Sequence, residues 1–411
     1  MKKIRFLALS NGYGEDYVAV NIIKELQNLY PHIDILAIPL VGEGKLYIQN
    51  NIPIKGPLKM MPSGGFIRDL KTLFDDINAG LLKVHWEKYK EMKNWAKEEG
   101  YVIAIGDIVP LAFSYITKRP YFFVNINMEK SIYTVCDEDI SMENLSQSQA
   151  QRLAKKVYSG LELHIMKNKN CKSVFCRENL TNQVLKKAGV NSEYLGNPLM
   201  DRLKPQNILD ISGFEDFYKV ILLPGSRIPE AYYNFSVILE GVDSLISSIS
   251  SEMFLFLTSL ARSVSWKRID EILIQKGFER VKEGDRQILY KKRNSYLIVT
   301  DIFSDCINVA SLGIAMAGTA TEQFVGLGKP AIAIPGKGPQ YIYRFAKAQK
   351  KFLGPCLFLV DTPQEIPNIF VKIYKDERLL EEVKENAKKR VGEEGASQKI
   401  AQRILDYVMG G

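Results

Sequence analysis

The chain has 411 residues, 46% apolar and 25% charged, with a net charge of +8 and a pI near 8.9. That length exceeds what one hydrophobic core ordinarily serves, so two domains are expected, and the composition excludes a fibrous, repetitive or disordered protein. The basic residues are scattered rather than grouped, which argues against nucleic acid and leaves an anionic small molecule or membrane surface as partner.

The N-terminus, MKKIRFLALSNG, imitates a signal peptide, but its apolar run is short and ends in Asn-Gly-Tyr-Gly-Glu-Asp. It predicts a first buried strand in a cytoplasmic protein. EDYVAVNIIKELQNLY follows with apolar residues at helical spacing, and IDILAI reads as a second strand. Gly12 and Gly14 give a G-x-G, but Tyr17 stands where the dinucleotide fingerprint needs its third glycine. The turn, with Asn11, instead brings the carboxylates of Glu15 and Asp16 to the strand end. PSGGF, with Ser63 and Gly64, precedes a helical stretch whose apolar positions 67, 70, 74, 77 and 81 predict a core face. YVIAIGD and YFFVNI are further strands. Asp107 closes the first of them, placed either as a general base on a sugar hydroxyl or as a helix N-cap. The acidic run at 137–139 fits a D-x-D pattern but reads as a solvated turn in a polar loop. Three separated histidines and five irregularly spaced cysteines support neither a zinc site nor a serine triad, so no metal is expected and the thiols are read as free.

Residues 201–216 suit a linker, with prolines, a glycine and mixed charges. Beyond them KVILLPGSR, MFLFLTS, SYLIVTD, GIAMAG and PAIAIPG restart the strand pattern. Gly225, Ser226 and Arg227 make a turn suited to clamping a phosphate. Gly318, Thr319, Ala320 and Thr321 open a helix whose N–H groups and hydroxyls suit a second anion, with Glu322 and Gln323 in its first turns. Thr321 is equally a helix cap. Gly338 and Gln340 belong to a third strand-end loop. GLGKP is not a phosphate loop, because Pro330 follows Lys329 where a Ser or Thr is required.

Apolar strands separated by amphipathic helices predict an α/β protein with two Rossmann-like, doubly wound domains facing a cleft. The boundaries read as 1–200, a linker at 201–216, 217–375, and C-terminal helices at 376–411 that pack back on the first domain.

SNGYGED, PSGGF, LPGSR, GTATEQFVGLGKP and PGKGPQ, in that order, resemble the lipid-A-disaccharide synthase-related branch of the lipid-A-disaccharide synthases. YLGNPLMDRL and GEEGASQKIAQRIL are similar to its segments before the linker and at the C-terminus. The resemblance implies a GT-B type inverting glycosyltransferase without cofactor or metal. A UDP-sugar, of N-acetylglucosamine or glucose type, would be the donor substrate in the second domain. The acceptor would be a lipid-linked or other sugar in the first, near Asn11, Gly12, Gly14, Ser63 and Gly64. It further implies peripheral contact with the inner face of the membrane. Arg227 and the 318–322 turn would hold pyrophosphate and ribose, with either Glu322 or Gln323 on the ribose. Asp107, Glu15 or Asp16 would take the acceptor proton. A UDP-sugar 2-epimerase and a non-catalytic nucleotide-sugar-binding protein are the alternatives; the oligomeric state stays open.

Overall fold

The computed structural model describes residues 4–59, 70–136, 145–338 and 340–410. Two compact units divide the chain: Met1–Asp201 with Glu393–Gly411, and Arg202–Gly392.

In the first unit β1 (Ile4–Ser10), β2 (Ile33–Pro39), β3 (Tyr101–Ile105), β4 (Tyr121–Asn125), β5 (Cys171–Cys176) and β6 (Ser192–Glu193) form a parallel sheet in the order β2-β1-β3-β4-β5-β6. Phe6, Leu7, Ala8 and Leu9 are all buried, as continuous apolar runs in a sheet covered on both faces require. Helix Tyr13–Leu29 covers one face with Val18, Ile22 and Leu26, and helix Ala396–Gly410 joins it there through Ile400, Ile404 and Leu405. Asp201 fastens that returning helix. Its Oδ1 accepts from the backbone N–H of Gly395 at 2.6 Å and Ala396 at 3.2 Å, and its Oδ2 from that of Ser397 at 2.7 Å. Tyr17 donates its hydroxyl proton to the Asp201 carbonyl. The residue that breaks the dinucleotide fingerprint thus has a structural task of its own.

The second unit holds β7 (Tyr218–Leu223), β8 (Phe254–Ser259), β9 (Glu279–Glu283), β10 (Gln287–Lys292), β11 (Ser295–Thr300), β12 (Leu312–Ala315), β13 (Ala331–Ala333) and β14 (Leu357–Leu359). Their order is β14-β13-β12-β7-β8-β11-β10-β9. The hairpin β9–β10 runs antiparallel and extends the edge beyond β11. Sequence periodicity misses β9, because ERVKE is exposed along its whole length and carries no apolar signature. Charged residues suit an unpaired sheet edge.

Two boundaries differ from the sequence reading. Residues 202–216 belong with the second unit, where the Asp305 carboxylate accepts from the backbone N–H groups of Gln206, Ile208 and Leu209. Helix Glu377–Arg390 also stays there, and only 393–411 return. Arg390 is buried and donates to the carbonyls of Lys351 and Phe352, while Val383 and Ala387 are buried on the same helix. A guanidinium hydrogen-bonded inside one unit cannot leave it cheaply.

The stripe read as a core face also differs. Position 67 lies outside the described residues; Leu81 is buried, but Phe74 is 61% exposed, while the polar Asp76 of the same helix, Leu70–Asn78, is buried. The pattern alone could not distinguish the faces, since apolar spacing fixes a stripe and not what covers it.

Candidate functional site

A doubly wound sheet opens a crevice at the carboxyl ends of its strands, where two neighbours lead away in opposite directions. In the first unit that point lies between β1 and β3, and in the second between β7 and β12. Register makes the strand ends coincide. Ser10 pairs with Ile105, and Leu223 with Ala315. The turns that follow each pair are therefore neighbours in space, although about 90 residues separate them in sequence.

In the first unit the Asn11 amide donates to Asp107 Oδ2 at 2.9 Å, and Asp107 Oδ1 accepts from the Val109 backbone N–H at 2.8 Å. Asp107 is thus the N-cap of helix Ile108–Ile116 while its other oxygen faces the β1 turn. Burial holds its carboxyl above the usual range, opposed by those two hydrogen bonds. Gly106, at φ 126°, lets the chain pass Glu15, whose Cγ would lie 3.0 Å from a Cβ there. Asn11, Gly12, Glu15, Asp16 and Asp107 are gathered at this one crevice. Gly14 lies in the first turn of helix Tyr13–Leu29. Ser63, Gly64 and the 137–139 run lie outside the described residues.

Asp16 sits deeper. Ser10 Oγ donates to its Oδ1 at 2.5 Å, and the Tyr47 hydroxyl lies 2.6 Å from the same Ser10 oxygen. Lys88, fully buried, donates to the carbonyls of Pro39 at 2.6 Å and Leu40 at 3.0 Å. Burial pushes the Asp16 carboxyl up from 3.8 to about 7, reduced by the Ser10 bond, raised further by Glu15 and lowered by Lys88. The Lys88 ammonium is pushed down to about 8 by burial, with Asp16 opposing. Between pH 4 and 7 the folded protein therefore keeps a proton on Asp16 that the unfolded chain releases. Stability due to this group is full below pH 4 and falls as pH rises toward 7. Asp16→Asn should abolish that decline, so its stability relative to wild type should rise by up to roughly 4 kcal/mol across this interval. Urea denaturation at pH 4.5 and 7.5 measures it; parallel curves for the two proteins would refute it.

In the second unit three turns meet. Met316 N–H donates to the Leu223 carbonyl at 2.8 Å, and Ile334 N–H to the Ala315 carbonyl at 3.1 Å, aligning β7, β12 and β13. Gly225 follows β7, and a Cβ on it would lie 3.6 Å from the Met316 carbonyl oxygen. The Asn234 amide ties the turns together, donating to the carbonyls of Pro224 at 3.1 Å and Met316 at 3.3 Å. Ser226 is exposed, and Arg227 is half-buried beside it. Helix Thr319–Gly326 begins at Gly318, so its first N–H groups and the exposed Thr319 hydroxyl point out of the strand end, with Ala320 next. Of the two readings of Thr321, the geometry favours the one in which it serves the helix. Its hydroxyl donates back to the Ala317 carbonyl at 2.6 Å and is fully buried, so it serves the helix. Glu322 and Gln323 are both buried, and Gln349 donates to the carbonyls of Ala317 and Gly318, fixing the turn from behind. Lys329, of GLGKP, donates to the carbonyls of Ile307, Asn308 and Ala310 at the end of helix Phe303–Val309. It is a helix C-cap, not a phosphate ligand.

No family model matches the chain, and no curated protein sequence is significantly similar to it. Solved structures do match over nearly its whole length. S. aureus MnaA, in a co-structure with UDP, is 12% identical with a TM-score of 0.60, covering 99% of this chain and 97% of that one. UDP-GlcNAc 2-epimerase from Neisseria meningitidis, bound to UDP-GlcNAc, is 13% identical with a TM-score of 0.53, covering 99% and 100%. Acinetobacter baumannii MurG is 14% identical with a TM-score of 0.52, covering 98% and 99%. The chain has the GT-B fold.

In this GT-B chain the sequence-selected residues fall into two constellations: Asn11, Gly12, Glu15, Asp16 and Asp107 in the first unit, and Gly225–Arg227 with Gly318–Ala320 in the second. Gly338 and Gln340 join the latter. Sequence reading missed Ser10, Tyr47, Lys88, Glu230, Asn234 and Gln349. Only Glu230 carried a signal, a carboxylate three residues past Arg227. Ser10 ends β1, the others sit in ordinary helical patterns, and their roles arise from packing. Among the described residues no cluster of histidine, cysteine, aspartate or glutamate is arranged to hold a metal. Among them, too, no helix is long and apolar enough to cross a membrane.

Proposed function

We propose that the protein is a glycosyltransferase that moves a sugar from a UDP-sugar held by its second unit to a sugar or lipid-linked acceptor. What carries this reading is the meeting of the Gly225–Arg227 turn and the N-terminus of helix Thr319–Gly326 at the β7/β12 switch point, tied by Asn234. A guanidinium and converging N–H groups suit a diphosphate, and they supply there the charge that a departing diphosphate needs. In the reaction the acceptor hydroxyl gives its proton to a first-unit carboxylate, Asp107 by our choice. The acceptor oxygen bonds to the anomeric carbon, the carbon–phosphate-oxygen bond breaks, and its electron pair leaves with UDP, inverting the centre. The motif resemblance to the lipid-A-disaccharide synthase-related branch favours an acceptor with a lipid part. Phe74, Leu82 and Trp86 support it as exposed apolar side chains of the first unit, with the Lys90 ammonium 5.5 Å from the Trp86 ring.

The deciding experiment is calorimetric titration with UDP. Wild type should bind, and Arg227→Ala should bind about 10- to 100-fold more weakly, the range for one charge-assisted contact. Equal affinities would remove Arg227 from the donor site. A second reading, a UDP-sugar 2-epimerase, is favoured by the three carboxylates Glu15, Asp16 and Asp107 gathered in one crevice, since epimerisation needs several proton carriers. Conversion of UDP-GlcNAc without any acceptor would select it.

A further inference from the structure

Glu230 opens helix Glu230–Ser248, three residues past Arg227, and is 8% exposed. Its Oε1 accepts from the backbone N–H groups of Gln340 at 3.2 Å and Tyr341 at 2.9 Å, so it fastens the third strand-end loop. Its Oε2 is buried as well and has no hydrogen-bond partner among the described residues. One turn along the same helix face, Asn234 Oδ1 is likewise buried without a partner, while its amide bridges the two anion-suited turns. Both acceptors lie against the loop glycines. A Cβ on Gly338 would fall 2.5 Å from Glu230 Cδ, and one on Gly336 3.2 Å from Asn234 Oδ1. Backbone alone fits over them.

A buried carboxylate oxygen with no donor is costly, and such an atom at a ligand crevice marks a partner that arrives with the ligand. The partner must bring hydrogen-bond donors and sit beside a diphosphate. A sugar hydroxyl of a nucleotide sugar does both. Resting on the donor-site reading above, we infer that Glu230 Oε2 accepts a hydrogen bond from a hydroxyl of the bound nucleotide sugar. Glu230 thereby joins the seating of the third strand-end loop, through Oε1, to recognition of the sugar, through Oε2.

Glu230→Gln separates these tasks. It keeps one oxygen for the Gln340 and Tyr341 N–H groups and replaces the free acceptor with an amide donor. UDP, 2′,3′-dideoxy-UDP, UDP-glucose and UDP-N-acetylglucosamine are titrated into wild type and E230Q, with melting temperatures confirming that E230Q is folded. A tenfold or greater loss in E230Q confined to the two UDP-sugars assigns the contact to the hexose. A similar loss with UDP that vanishes with dideoxy-UDP assigns it to the ribose. Equal binding of every nucleotide to E230Q and wild type would overturn the inference, as would a loss that dideoxy-UDP shares in full, since the carboxylate then serves only the loop. Wild type that binds none of the four would instead fail the donor-site reading itself. Should E230Q not fold, Gly338→Ala replaces it. That methyl group would press on Glu230, and it should weaken the hydroxyl-bearing nucleotides more than dideoxy-UDP; equal weakening would count against the inference.

Discussion

Replacing Asp107 by asparagine is expected to lower sugar transfer by about 10²- to 10⁴-fold and leave UDP binding unchanged, because the proposed function makes Asp107 the general base and seats UDP on other residues. Asparagine is a good N-cap, so the Val109 N–H keeps its acceptor and helix Ile108–Ile116 keeps its start. The new NH2 group then stands where Oδ2 accepted from Asn11, and Asn11 keeps the contact by turning its own amide oxygen toward it. The charge is lost and the scaffold is not. Burial already holds this carboxyl above its ordinary range, so the acid limb of the wild-type kcat/KM profile should lie above the usual carboxylate region. Initial rates with a radiolabelled UDP-sugar, with UDP titration as control, measure both. Full activity in Asp107→Asn would pass the role to Glu15 or Asp16. Of those, Asp16 is the less accessible, since it is buried and its Oδ1 is taken by the Ser10 hydroxyl, which Tyr47 also reaches.

The second large effect is on stability. Asp201→Ala should cost about 2–4 kcal/mol, measured by chemical denaturation, because one buried carboxylate holds three backbone N–H groups of the returning chain. Those groups open helix Ala396–Gly410, whose Ile400, Ile404 and Leu405 complete the core beside helix Tyr13–Leu29. The N-terminus of that helix would lose its cap, and the segment after Gly392 would lose the tie that seats it. Asp201→Asn keeps one acceptor oxygen and should lose roughly half as much. A change below about 0.5 kcal/mol in Asp201→Ala would mean that apolar packing alone seats the helix.

The sequence by itself determined the class of fold. Continuous apolar strands such as IRFLAL and KVILLP can be satisfied only inside covered parallel sheets, and helical spacing between them supplies the cover. It also singled out the turns on which the proposed function rests, because Gly-Ser-Arg after a strand and Gly-Thr before a helix suit an anion. Tertiary structure decided which turns meet. Asn11 reaches Asp107 only because β1 and β3 are neighbours in register, and the sheet order is a long-range property that no local spacing encodes. It also decided which polar groups are already spent. Thr321 and Lys329 look available in the sequence, yet backbone carbonyls take both. Glu230 shows in the sequence only as a carboxylate three residues past Arg227, yet burial leaves its Oε2 without a partner among the described residues. A residue's capacity to bind is what remains after its own fold has used it, and that remainder is set by packing.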